Sequence, residues 1–230
     1  MASEAKDFTA VRAVASKDFE QCSTSVSSYR IYENVFKRLL DIGFVLLVAP
    51  IALPIIALFS LLVSRDGTSP FYKQRRIGRN GDVFNMIKIR TMVPGAKGKL
   101  EAYLAKNAQA RSEWDRTQKL KDDPRITPIG RFLRKSSMDE LPQLWNVLRG
   151  DMSIVGPRPI MEDQRDLYPG RAYFELRPGI TGAWQVSDRN ATSFVARAQF
   201  DTDYHNSLSF KTDFAILART VSVVLRCTGY

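Results

Sequence analysis

Asp139 and Glu140 stand side by side in RKSSMDELPQLWN, residues 134–146, shortly after the basic pair Arg134 and Lys135. An aspartate can attack phosphorus and form an acyl phosphate, which divides one displacement into two steps. The same doublet also reads as helix punctuation. Leu141, Leu144, Trp145 and Leu148 fall at helical spacing, and Gly150 closes the pattern as a C-terminal glycine does. Ser137 and Glu140 have capping-box spacing, but Pro142 lacks an N–H and belongs among the first unpaired donors, so the cap falls at Asp139 or later. Either way Asp139 lies at the positive end of a helix dipole. Free N–H groups and Arg134 there would keep a carboxylate ionised and draw a phosphate towards it.

Phosphate chemistry needs cations that converge. SPFYKQRRIGRNGDVFNMIKIRTM reads as a β-hairpin around Asn80-Gly81. Alternation sets Lys88 and Arg90 on one face of its second strand, where they hold a phosphate or guard a solvated edge. Arg158 has a stiff backbone between Pro157 and Pro159, and the glycines of RPGITG suit a tight loop close to a ligand.

These residues must be carried by a chain of 230 residues with a formal charge of +10, enough for one domain with a real core. The charge points to nucleic acid, an acidic membrane surface or phosphorylated substrates. No helix-turn-helix or RNP-type pattern accompanies it, so no nucleic-acid partner is expected. Cys22 and Cys227 sit near opposite ends and His205 is the single histidine, which leaves no disulfide framework, zinc spacing or histidine relay. Residues 1–31 are rich in Ser, Ala, Lys and Glu, with no apolar core behind a basic start; they read as a mobile tail, not a signal peptide.

From Ile42 to Val63 no residue is charged. At ~1.5 Å per residue, such a helix is long enough to cross about 30 Å of hydrocarbon. Pro50 and Pro54 interrupt the run, and basic residues flank both ends: Lys37 and Arg38 before it, Arg65, Lys73, Arg75, Arg76 and Arg79 after it. Positive charge marks the cytoplasmic side. A straight span puts the wrong charge at one end; a helix broken near Pro50 that enters and leaves by one face does not, and is the expected topology. Asp41 is spaced to pair with Lys37 or Arg38 on one helical face. Residues 97–121 read as one or two polar surface helices anchored by Leu100, Tyr103, Leu104 and Trp114. Residues 210–226 form a basic amphipathic helix, set either in a membrane interface or against the domain.

The expected fold is α+β and mostly helical: a monotopic membrane protein with a proline-broken re-entrant helix, a small β-hairpin and interfacial amphipathic helices. The boundaries fall at 1–31 for the tail, 32–64 for the membrane helix and 65–230 for a cytosolic or interfacial catalytic domain.

From about Tyr32 to the C-terminus the chain resembles the monotopic phosphoglycosyl transferases. The resemblance rests on KRLLDI before the apolar run, then IKIRTM, FLRKSSMDELPQLWNVLRGDMSIVGPRP, RPGITGAWQV and RN, in that order. It is nearest to the hexose-1-phosphate type that initiates exopolysaccharide synthesis. The resemblance implies transfer of a sugar-1-phosphate, galactose or glucose, from a UDP-sugar to undecaprenyl phosphate, with release of UMP. It implies magnesium, with Asp139 as its protein ligand, and Asp139 as a nucleophile that forms a phosphosugar-enzyme intermediate beside Glu140. It places the helix break at Pro50 and the enzyme in the bacterial inner (cytoplasmic) membrane, its active site facing the cytosol. Lys88, Arg90, Arg134, Arg158 and Arg189 are the cations expected to hold the diphosphate and the lipid phosphate. Magnesium suits such a site because it takes carboxylate and phosphate oxygens and needs no histidine or cysteine.

Two positions depart from the family pattern: Ala49 stands where a serine often precedes the proline, and Asp188 where a glycine precedes RN. Asp201 and Asp213 match acidic family positions and are expected to be structural. A homo-oligomer is compatible with the sequence. The alternative function is a membrane-bound, non-catalytic adaptor of a polysaccharide assembly complex.

Overall fold

The computed structural model describes residues 31–117, 120–187 and 196–225. Tail residues 1–30, with Cys22 among them, and Asp188, Arg189 and Cys227 lie outside these residues.

A short π-helical turn at Tyr32–Phe36 leads into α1, Lys37–Val63. Its buried residues, Lys37, Asp41, Val45 and Ala52, repeat at one- and two-turn spacing and so form a single stripe. The rest of the circumference is apolar and bare, with Leu47 76% exposed and Leu46, Ile51, Leu53, Leu58 and Leu61 also open. Left in water, each such side chain forgoes roughly 1.5–3 kcal/mol. The helix runs through Pro50 and Pro54 without interruption, so the break expected at Pro50 does not end it. Each proline removes one N–H rung and the rungs on either side persist.

The expected hairpin forms. β1, Phe71–Ile77, pairs antiparallel with β2, Val83–Ile89, and Asn80 in the connecting turn takes a positive φ of 59°. Asparagine tolerates that region better than most residues. The polar stretch becomes α2, Ala96–Lys106, and α3, Ala108–Thr117; Leu100, Leu104 and Ala110 form their buried seam, with Tyr103 and Trp114 against it.

Thr127 caps α4, Pro128–Lys135, by accepting from Gly130 N at 2.9 Å, with Pro128 at the first position. A 3₁₀ turn at Met138–Glu140 then leads to α5, Gln143–Arg149. Gly150 ends α5 at φ 90°, its N–H bonded back to Asn146 and Val147 carbonyls.

The sequence reading did not anticipate a second, parallel pair. β3, Ser153–Val155, lies beside β4, Gly179–Thr181, with the short α6, Ala172–Glu175, between them in the chain. A Cβ at Gly179 would stand 2.1 Å from Gly156 N, so the glycine there serves backbone-to-backbone approach. α7, Arg197–Asn206, and α8, Phe210–Leu225, complete the chain. α8 turns Ile216 and Asp213 inward and leaves Phe210, Phe214 and Val221 exposed. The main core joins Val45 of α1, Met86 of β2, Val147 of α5, Ile154 and Val155 of β3, and Tyr204 and Ile216 of the last two helices.

Asp41 does not form the expected pair with Arg38. It accepts from Ser153 Oγ at 3.0 Å and from Ile154 N at 2.9 Å, while Arg38 donates to the Val147 and Leu148 carbonyls that end α5. Lys37 instead meets Asp213 at 2.6 Å, and Tyr32 and Tyr204 donate to the same carboxylate. Burial explains the change: tertiary partners replace a local pair at the stripe where α1 meets the domain. At the other end of α1, Arg90 donates to Val63 O at 3.0 Å and to both Asp66 oxygens at 2.7 Å. Phe59 and Phe132 rings lie 5.8 Å apart, which joins this end to α4. Both ends of the apolar helix are thus fastened to the same domain.

Candidate active site

The acid doublet sits in the 3₁₀ turn between α4 and α5, not at the cap of α5. Pro142 occupies the cap position and Ser137 makes no capping bond, so the capping box does not form. Ser137 itself has φ 58° and ψ 17°, a left-handed conformation that side chains disfavour. That bend sets Asp139 inward, 8% exposed, with Glu140 beside it at the cleft edge.

Burial pushes the Asp139 carboxyl up to about 6; Lys88 and Arg134 pull it down and Glu140 pushes it up. Lys88 Nζ reaches Glu140 Oε1 at 2.6 Å. Arg134 lies on the other flank, its Nε held by Thr91 Oγ1 at 2.9 Å. Burial lowers the Arg134 guanidinium, and the Asp139 and Asp123 charges oppose that.

Lys88, Glu140 and Arg158 line one small cleft open to solvent. Arg76, Gln143 and Gln185 complete its polar lining, and Met86, Pro159, Gly179 and Ile180 its less polar walls. Burial and the neighbouring Arg158 bring the Arg76 guanidinium down to about 10, so it stays protonated at neutral pH. The Arg158 loop is pinned from three sides: Arg197 Nη2 donates to Arg158 O at 2.7 Å, Arg76 Nη1 to Pro159 O at 3.0 Å, and Ile77 N to Ile160 O at 3.1 Å. The Arg197 guanidinium also stacks 4.8 Å over the Trp184 ring.

Of the site residues expected from sequence, the structure brings together Asp139, Glu140, Lys88, Arg134 and Arg158. Arg90 goes elsewhere: β2 ends at Ile89, and Arg90 turns to the exit of α1. Arg189 lies outside the described residues. Arg76, Gln143 and Gln185 were missed. Arg76 was read only as flanking charge on the membrane run; the signal available was its place on β1, opposite Phe84 of β2. Gln143 follows the acid doublet within one turn, a placement that the helical count alone reveals. Asp201 and Asp213 are buried structural acceptors for Tyr168 and Lys37 respectively.

Among the described residues no group of three or more His, Cys, Asp or Glu side chains gathers as a metal cage. Two adjacent carboxylates beside a cationic cleft fit a magnesium ion, which keeps water and phosphate oxygens as most of its ligands.

The chain thus joins a buried carboxylate, flanked by lysine and arginine, to a helix long and apolar enough to cross a membrane. Residues 32–227 match the bacterial sugar transferase family, and the chain belongs to it. It is 48% identical over 84% of its length to the UDP-galactose-lipid carrier transferase of Erwinia amylovora, 41% of which is covered. It is 46% identical over 85% of its length to the exopolysaccharide production protein ExoY of Sinorhizobium fredii, covering 88% of that protein. The undecaprenyl-phosphate galactose phosphotransferase of Salmonella typhimurium is 45% identical over 84% of this chain and 41% of its own length. The chain therefore spans less than half of two of these relatives and most of the third.

Proposed function

We propose that this protein transfers a hexose-1-phosphate, galactose or glucose, from a UDP-sugar to undecaprenyl phosphate and so starts exopolysaccharide synthesis. The observation that carries the reading is the buried Asp139, with Lys88 and Arg134 acting on its charge, beside Glu140, which lines a cleft with Lys88, Arg76 and Arg158. The relatives named for galactose-lipid carrier transfer and galactose phosphotransfer support the substrate class.

An ionised Asp139 oxygen attacks the β-phosphorus of the UDP-sugar. The bond from that phosphorus to the bridging oxygen breaks, and UMP leaves with the electron pair. The phosphate oxygen of undecaprenyl phosphate then attacks the same phosphorus and releases the Asp139 carboxylate, giving the lipid diphosphosugar. Lys88 and Arg158 neutralise phosphate oxygens during both displacements, the main need of phosphoryl transfer. Lys88 also holds Glu140 in place. Magnesium, held by Asp139, would supply further neutralisation of the phosphates.

The long lipid does not leave the bilayer, since each buried CH₂ adds about 0.8 kcal/mol. The fastening of both ends of α1 to one domain supports a re-entrant, monotopic anchor. Phe210, Phe214 and Val221 on α8 are suited to the same interface. The reading places the cleft on the cytosolic face of the inner membrane, where nucleotide sugars are made.

The test is mass spectrometry of enzyme mixed with UDP-galactose or UDP-glucose alone. A phosphohexose adduct on Asp139 and ping-pong kinetics are expected; no adduct, with both substrates required together, refutes the covalent route. Single cysteines near Tyr32 and Thr68, in a background without Cys22 and Cys227, should label from the same side of the membrane.

A further inference from the structure

Three buried polar atoms of cleft-lining residues have no hydrogen-bond partner among the described residues: Arg76 Nε, Gln143 Nε2 and Gln185 Oε1. Gln143 is 2% exposed and Gln185 7%. An unpaired buried polar atom opposes folding, and native proteins keep few of them. Three from residues around one cleft call for partners that arrive with a ligand.

The three atoms differ in kind. Arg76 offers a cationic N–H, Gln143 a neutral donor and Gln185 a neutral acceptor. One ligand satisfies all three if it carries an anion and, close by, an uncharged group that both accepts and donates. The placement of the amides agrees with this. Gln143 opens α5 four residues beyond Asp139. The Gln185 carbonyl lies over Gly182, where a Cβ would stand 2.8 Å from Oε1, and its amide nitrogen leans on Ile180 O at 3.4 Å. Glycine at 182 thus leaves the space that the Gln185 amide occupies.

We propose that Gln143 and Gln185 read the uncharged part of a nucleoside diphosphate sugar, while Arg76 takes an oxygen of the adjoining phosphate. The uncharged part is either a hydroxyl of the hexose or the imide edge of the base; both donate and accept. The inference rests on the function proposed above and deepens it by assigning residues to substrate recognition.

The experiment uses the full chain in lipid nanodiscs, with UDP-galactose, UDP-glucose and UMP as probes in titration calorimetry. Gln143→Met and Gln185→Met keep bulk and remove the amide. Each should bind at least one UDP-hexose about 10-fold more weakly than the parent, the loss expected for one buried hydrogen bond. The thermal midpoint should hold or rise, because each change removes a buried amide atom that lacks a partner among the described residues, at the loss, for Gln185, of only a long 3.4 Å bond to Ile180 O. Equal weakening of UMP assigns the pair to the base, and unchanged UMP binding assigns it to the hexose. If a Met variant does not fold, the Leu variant at that position takes its place. Parental affinity for all three probes overturns the inference, as does a lower thermal midpoint without loss of affinity. A parent protein that binds none of the probes refutes the proposed function itself, and is told apart by that.

Discussion

The foot of α1, its N-terminal end around Lys37 and Asp41, and the cleft are two buried polar regions built to opposite rules. At the foot, Lys37, Asp213, Tyr32 and Tyr204 share one set of bonds, and the Asp41 carboxylate is met by a hydroxyl and a backbone N–H. Along the cleft, Arg76, Gln143 and Gln185 each keep an atom without a partner among the described residues, and burial raises Asp139 beside it. A satisfied network fixes one geometry; an unsatisfied one holds free energy in reserve for whatever completes it. The first is an attachment and the second a receptor.

The comparison is broken most severely at Asp139. Asp139→Asn should lower hexose-1-phosphate transfer at least ~10³-fold, since the nucleophile is gone. The same change should raise stability at pH 7 by about 2–3 kcal/mol, because it removes a buried carboxylate whose titration has moved from 3.8 to about 6. UMP release and the thermal midpoint measure the two effects. A variant with normal turnover removes Asp139 from the mechanism.

The opposite response is expected at the foot. Lys37→Ala leaves the Asp213 carboxylate buried without its cation and should cost about 3–5 kcal/mol. A fall of the thermal midpoint, with residual activity in the fraction still folded, is the expected signature.

A pH series sharpens the contrast further. Below about pH 6 the Asp139 carboxyl takes up its proton, so kcat/KM should fall towards ten-fold per pH unit. Stability moves the other way. A carboxyl raised on folding contributes stability that is fully present below about 3.8 and is lost as pH rises through about 6. Asp201, raised by burial to about 6 as well, adds to the same trend. Activity gained and stability lost over one window, with both slopes reduced in Asp139→Asn, is the expected pattern.

The smallest effect concerns the bend ahead of the doublet. Ser137→Gly removes the left-handed strain at φ 58° and should stabilise by about 0.5–1 kcal/mol with transfer reduced less than ten-fold. A destabilised variant would mean that the Ser137 side chain has work that its geometry does not reveal.

Local patterns made much of this legible in the sequence. The hairpin, the polar helices, the glycine that ends α5 and the acid doublet all rest on spacings within a few residues. Non-local pairing hid the rest. β3 and β4 have three residues each, too short for alternation to announce them. Alternation grouped Arg90 with Lys88, but the strand stops between them. Arg76, Gln143 and Gln185 come from three separate segments, and only packing brings them to one cleft. The pairing of Asp41 was misread for the same reason, since a neighbour in sequence lost to partners more than 100 residues away.

Lys88 and Arg90 are neighbours but one, on either side of the end of β2 at Ile89. The first reaches the cleft, and the second grips the last carbonyl of the apolar helix. The exit of the apolar helix and the cleft are therefore tied to positions two residues apart in the chain. On the proposed membrane placement, a lipid phosphate would meet a cleft whose elevation the backbone has already set.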